Sequence, residues 1–352
     1  GLAFKAANVD AETAERAYYR LAFCLKQDDR HEQSLATCRT LMTRYKGSKW
    51  KREIQDLYTS EQKALKDYRG VLKDLADQKA RAASPEEALQ ADYALAWAFM
   101  DLRRYNEAAD LFKKTLSATR DDTERLAVRE GYARALARLG KPGEALDQYE
   151  VLVKEETSAL RLFIDEMMVW SLRREAGKSS GRDLPASAET LLRQYEAADA
   201  QARDSLDKPT LTKVTWAYYV RGLYDLLRRD EKGALAQFEV AANSPDDWVA
   251  GDALLRSAIL HRQAKRLKES REALELLLFS SQSTEAEVEG LRMLSDIANE
   301  LADTKTSKER MGMLLDRYPD SAPAMQVMRE RAEKKAKEAA AAAATNAPAA
   351  KP

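Results

Sequence analysis

The chain has 352 residues, of which 45% are hydrophobic, 33% charged and only 7% aromatic. This is a helix-forming composition, long enough for two ordinary domains or one elongated repeat array. Its 58 basic and 58 acidic residues balance, which excludes a global field that would steer nucleic acid or acidic membranes. Two cysteines exclude a disulfide-stapled scaffold, and no apolar run reaches the roughly eighteen residues of a transmembrane helix.

The chain starts on Gly1 rather than Met, which reads as a mature or truncated product, and "GLAFKAAN" reads as the stub of a preceding helix. "DAETAERAYYRLAFCLKQ" follows as a helix capped by Asp10, with Ala14, Tyr18, Leu21, Ala22 and Leu25 on one face. After a "DDR" turn, "HEQSLATCRTLMTRY" is its partner helix. Cys38 falls at a core position of the second helix and Cys24 on the first, so both are expected as packed thiols, with a disulfide between them as the alternative. Residues 49–82 depart from this pattern. Trp50, Ile54, Leu57, Ala64, Tyr68, Val71 and Leu75 run in steps of three and four, which predicts one long helix or two nearly continuous ones. Ser84 and Pro85 open a fresh helix, and two regular helix pairs follow to about residue 155.

Residues 157–206 are again irregular, with two helices around a flexible loop in 176–185. "DKPT" restarts the array, and a last helix runs through "APAMQVMRERAEKKAKEAA", whose mixed charges suit a solvated face. The Ala/Pro tail is expected to be disordered. The divisions are thus 1–156, 157–206, 207–338 and 339–352.

A signature recurs through these elements. A small residue is followed twelve positions later by another, then by a bulky residue four further on and a mostly aliphatic one three after that. Ala22, Ser34, Cys38 and Leu41 show it, as do Ala96, Ala108, Phe112 and Thr115. So do Ala133, Ala145, Tyr149 and Leu152, and later Gly222, Ala234, Phe238 and Ala241. The series beginning at Ala258 and Ser295 complete it. Such a period predicts a stacked solenoid in which small residues meet at helix crossings and bulky ones fill the wedges between hairpins.

The segments "RYNEAADLFKKTL" and "GKPGEALDQYEVLV" carry a resemblance to the tetratricopeptide repeat family over most of residues 12–320. The first-helix Trp of that family is mostly replaced here, and its terminal Pro survives clearly only at Pro319. The resemblance implies an all-α, right-handed α-solenoid of stacked antiparallel helix hairpins. It also implies a concave groove lined by first helices. Carried onto this chain, the groove positions include Tyr19, Phe23, Tyr93, Trp97, Met100, Arg134, Arg138, Trp216, Tyr219 and Arg262. Aromatic residues with Arg between them suit an extended peptide or a partner helix. The endings "RYKGSKW" and "RYPDSAP" resemble those of bacterial envelope proteins with these repeats, which implies a periplasmic or envelope location; the cytoplasm is the alternative.

Catalytic signatures are missing from the sequence. His31 and His261 have no partner at metal-ligand spacing, and there is neither a phosphate-cradling glycine loop nor a nucleophile elbow. No cofactor, metal or nucleic acid is expected. The expected activity is a non-catalytic scaffold or adaptor for a protein or peptide partner, with self-association through end hairpins as a further expectation. The alternative is a helical accessory domain of a larger envelope enzyme, with its catalytic part outside this chain.

Overall fold

The computed structural model describes residues 11–179 and 184–345. The stub 1–8, the cap Asp10, part of the loop in 176–185 and the end of the tail fall outside them. Among the described residues all regular structure is α-helical. The helices are α1 (Ala11–Gln27), α2 (His31–Arg44), α3 (Lys51–Ala64), α4 (Tyr68–Ala80), α5 (Pro85–Asp101) and α6 (Tyr105–Ala118). Next come α7 (Asp122–Arg138), α8 (Pro142–Glu155), α9 (Ala159–Glu175), α10 (Ala186–Ala197), the short α11 (Ala200–Asp204) and α12 (Lys208–Leu227). The chain continues with α13 (Glu231–Ala241), α14 (Asp247–Gln263), α15 (Leu267–Ser280), α16 (Thr284–Glu300), α17 (Thr304–Arg317) and α18 (Ala322–Thr345). The fold is an all-α solenoid of stacked antiparallel helix hairpins.

One turn geometry makes every hairpin. Asp29, Lys66, Arg103, Gly140, Gly177, Arg229, Lys265 and Ala302 all adopt a left-handed conformation, with φ between 55° and 69°. In each case the next residue donates its N–H to the carbonyl five positions earlier, as Arg30 does to Leu25 and Asp303 to Ala298. This is a Schellman turn, which satisfies orphan carbonyls at the end of the first helix and reverses the chain. The turn residues are thirty-seven positions apart from Asp29 through Gly177, and again from Lys265 to Ala302.

Of the two readings of the stripe at residues 49–82, one long helix or two nearly continuous ones, the structure has two helices, separated by the turn at residues 65–67. Lys66, at φ 60°, breaks it into α3 and α4. The Tyr58 hydroxyl and the Gln62 amide both donate to Asp74, at 3.1 and 2.8 Å, and so tie the two helices together. Val71 and Leu75, 0% and 2% exposed, take the register of Ser34 and Cys38. Between Gly177 and Arg229 the α9–α10 loop and α11 add fifteen positions to the period, and from Arg229 to Lys265 the step is thirty-six. The Ala-rich tail is helical as far as Thr345 rather than irregular from residue 339.

The crossings are as tight as the small residues imply. Ser34 Oγ donates to the Ala22 carbonyl at 2.8 Å, and Ser270 Oγ to that of Ala258 at 2.6 Å. Gly222 has a different cause from a close approach to Ala234. A Cβ there would lie 2.6 Å from the Phe238 ring, so the glycine makes room for the bulky residue of its own hairpin. Gly131 does the same for Phe112 of the preceding hairpin, at 2.5 Å.

The chain forms two compact units, Gly1–Asp77 and Gln78–Pro352. In the first, Ala22, Leu35, Cys38, Leu57 and Tyr58 form the core between α1, α2 and α3. Cys38 is packed there, but Cys24 is exposed, because it points to the side of α1 away from this core. In the second unit one continuous core runs from Ala133 of α7 to Leu260 of α14, and α8 and α9 share it across residues 156 and 157. This unit also returns upon itself. The Ala322 N–H donates to the Leu102 carbonyl at 3.0 Å, Arg103 lies 3.4 Å from Glu289, and the Tyr105 hydroxyl donates to Glu285 at 2.7 Å. The α5–α6 turn thus meets α16 and the start of α18.

Candidate partner-binding site

The first helices of the second unit face one another across its interior, and their side chains fill much of the space between them. At the centre, Arg138 of α7 lies 2.8 Å from Asp252 of α14 and 2.7 Å from Glu285 of α16. Asp252 also holds Arg256 at 2.5 Å and accepts from the Tyr219 hydroxyl at 2.5 Å. Two guanidiniums and two carboxylates balance, so burying the group leaves no net charge, and the tyrosines occupy remaining acceptor sites. Burial alone would raise the Asp252 carboxyl, but Arg138, Arg256 and the Tyr219 hydrogen bond overcome it and hold the group well below the usual carboxylate range. Burial pushes the Tyr219 hydroxyl up.

Trp216 seals the interior beside this network. Its indole N–H donates to Asp246 at 3.0 Å, and its ring stacks on Trp248 at 5.4 Å with 17° between planes. Trp216 and Tyr219 are each 1% exposed and Met100 is 3% exposed, so these three expected groove residues lie inside the fold. Arg138 is committed to its two carboxylates, and Arg262 to Glu300 at 2.5 Å.

Toward the α5 side the interior opens. Arg134 sits between the faces of Trp97 and Trp248, 5.9 and 5.5 Å from their centroids, and pairs with Glu130 at 2.7 Å. Tyr93 meets Trp97 edge-on at 6.4 Å, and Arg161 lies 3.6 Å from Glu130. Tyr93, Trp97, Arg134 and Trp248 are all half-buried. Asp165, buried on α9 near this cluster, has its carboxyl raised to about 7, first by burial and then by the charges of Glu130 and Glu156. The structure therefore brings Tyr93, Trp97 and Arg134 into one half-open aromatic shelf. Tyr19 and Phe23 belong to the first unit, where Phe23 is 47% exposed and Tyr19 half-buried against the core.

Reading first-helix positions alone missed Trp248, Asp252, Glu285 and Tyr105. A register signal existed for one of them. Asp252 occupies the position of Trp216 thirty-six residues on. Its pairing with Arg138 depends on the second unit returning upon itself, which no local pattern encodes.

The two Tyr-x-x-Ser strings also have a local role. Ser48 and Ser321 each donate their N–H to the preceding Tyr carbonyl at 3.0 Å. Their hydroxyls then accept from Trp50 and Ala324 N–H at 3.0 and 3.3 Å, turning the chain into the next helix.

Among the described residues no group of His, Cys, Asp and Glu could hold a metal ion, and no helix is long and apolar enough to cross a membrane. No curated protein matches the sequence. The chain is similar in structure to Cut9 in the APC/C hetero-tetramer Cut9–Hcn1, at 13% identity and a TM-score of 0.41, with 89% of this chain and 55% of that chain covered. It thus spans about half of that protein. It is also similar to the apo quorum sensor NprR from B. thuringiensis, at 12% identity and 0.43, covering 88% and 99%. A third similarity is to a Rap protein complexed with Competence and Sporulation Factor, at 12% identity and 0.47, covering 93% and 99%. In sequence, the tetratricopeptide repeat family matches residues 16–48, which span most of α1 and all of α2.

Proposed function

We propose that this chain is a non-catalytic scaffold that binds an extended segment of a partner protein on the shelf formed by Tyr93, Trp97, Arg134 and Trp248. The carrying observation is the half-burial of these four side chains beside an otherwise sealed interior. Flat aromatic faces and a guanidinium give contact area at low entropic cost, and such residues dominate binding energy at protein interfaces. The neighbouring Glu130 offers an acceptor for backbone N–H groups of the bound segment. A bacterial cell envelope is the setting we propose, supported by the resemblance of "RYKGSKW" and "RYPDSAP" to envelope repeat endings.

The test compares partner recovery by the wild-type chain and by a Trp97→Ala, Arg134→Ala variant under one condition. Loss of specific partners with an unchanged circular dichroism spectrum is expected. Equal recovery of every partner removes the shelf from the account. Fractionation of native cells tests the location, and recovery from the cytosol alone refutes the envelope setting.

A further inference from the structure

One first-helix position, twelve residues before the left-handed turn, is packed inside the array and apolar wherever it is followed from α3 to α16, except in α9. In α3, α5, α7, α12, α14 and α16 it holds Ile54, Ala91, Val128, Ala217, Ala253 and Gly290, all buried. In α9, whose turn residue is Gly177, it holds Asp165, 5% exposed. Among the described residues no hydrogen bond or ion pair reaches the Asp165 carboxyl. A polar group buried without a partner costs free energy that the residues at the equivalent positions avoid, so packing does not account for this aspartate. A side chain that breaks the pattern of its own fold without compensation marks a candidate site.

The groups around Asp165 define what it can meet. Glu130 of α7 and Glu156, just ahead of α9, act against its charge, while Arg134 of α7 and Arg161 of α9 favour it. Tyr149 of α8 feels the Asp165 charge together with those of Arg134 and Glu130. On α12, which packs against α9, Lys213 lies instead over the Phe163 ring, 5.7 Å from its centroid. Glu130 is 2.7 Å from Arg134 and 3.6 Å from Arg161, so both guanidiniums are already engaged. With Asp165 ionised, three carboxylates face two guanidiniums. One further positive charge evens the cluster, and a further negative one is repelled. The aromatic faces of Tyr93 and Trp97 next to it favour the same sign. We propose that the bound segment presents a lysine or arginine side chain to the shelf, its stem lying on Tyr93 and Trp97 and its charge beside Asp165 and Glu130. This specificity rests on the shelf being the partner site. Burial and the two glutamates raise the Asp165 carboxyl to about 7, so the free protein holds it partly protonated; the arriving cation favours the carboxylate, and the proton passes to solvent.

The test applies the full-length chain to arrayed libraries of short peptides, identical except for a central Lys, Arg, Gln or Glu. Peptides with Lys or Arg are expected to hold the chain about tenfold more tightly than those with Gln, and those with Glu most weakly. Affinity for the Lys and Arg peptides is expected to rise about tenfold from pH 6 to pH 8, as Asp165 loses its proton, while that for the Gln peptides stays level. Asp165→Asn removes both the preference and the pH slope yet keeps binding that depends on Trp97. A merely structural role for Asp165 moves stability but not this pH profile. Trp97→Ala, with an unchanged circular dichroism spectrum, weakens every library. Equal binding of all four libraries that is lost on Trp97→Ala leaves the shelf standing and overturns the basic side chain. A preference for Lys and Arg that survives Asp165→Asn overturns it too. Binding indifferent to Trp97→Ala, or no binding by any library, removes the shelf and this specificity with it.

Discussion

Single residues decide the hairpin turns. A non-glycine residue in the left-handed region costs about 1–2 kcal/mol relative to its right-handed conformation, and glycine avoids that cost. Six of the eight turn residues are not glycine. Ala302 is exposed at φ 60°, with no side-chain role to lose. Ala302→Gly is therefore expected to stabilise the protein by about 0.5–1 kcal/mol, read as a raised midpoint in urea. Gly222 tolerates nothing larger, because Phe238 fills the space a side chain needs. Gly222→Leu is expected to cost about 2–4 kcal/mol by overpacking and displacement of the ring, seen as a lower melting temperature.

Asp165 gives a pH signature. Its folded-state carboxyl is raised to about 7, while the unfolded group titrates near its ordinary value of 3.8. The folded state therefore holds the proton more tightly. Its contribution is full below the unfolded value and is lost as pH rises through about 7. Asp165→Asn is expected to remove that slope and to stabilise the protein above pH 7 by about 1–3 kcal/mol, measured by urea denaturation across pH 4–8.

At the scale of helices, one aspartate shows how a cap and a core contact become a single feature. Asp246 caps α14 by accepting from Trp248 and Val249 N–H, and its other oxygen takes the Trp216 indole N–H. Asp246→Ala removes the cap and leaves a buried indole donor unpaired. The expected loss is about 2–4 kcal/mol, more than a cap alone supplies. Asp246→Asn, which keeps the cap and an acceptor, is expected to recover most of it. The same scale explains residues 49–82. Heptad-like spacing describes each face of α3 and α4 correctly, but a 3.6-residue period is silent about a break of one residue. Lys66 made that break without the Gly or Pro that usually announces one.

At the scale of the whole molecule, the decisive event lies within the second unit, where distant helices share one buried network. Arg138 joins α7 to α14 and α16 through Asp252 and Glu285, and both carboxylates are nearly inaccessible. Removing one partner of such a group strands the others without solvent. Arg138→Ala is expected to destabilise the second unit by about 3–5 kcal/mol and to speed hydrogen exchange in α16. Because the pairs are buried, moderate salt is expected to change wild-type stability little. The helical-repeat architecture, the small-residue crossings and the helix start at Ser84 were legible in the sequence. The burial of Met100, Trp216 and Tyr219 was not. Trp216 and Tyr219 carry the spacing of exposed groove residues but are covered by side chains of α13 and α14, among them Phe238, Trp248 and Asp252.

By itself, the sequence determined the local physics: a thirty-seven-residue period, two helices in each repeat, and which face of each helix is apolar. Those follow from helical periodicity and nearest-neighbour stacking, which are encoded within one repeat and the next. Only the tertiary structure decided which first-helix faces remain open. The second unit returns upon itself, so Arg138 becomes interior; α13 and α14 cover Trp216 and Tyr219, while Tyr93, Trp97 and Arg134 stay half-exposed. That outcome depends on small rotations accumulated over successive hairpins, and no single repeat contains it.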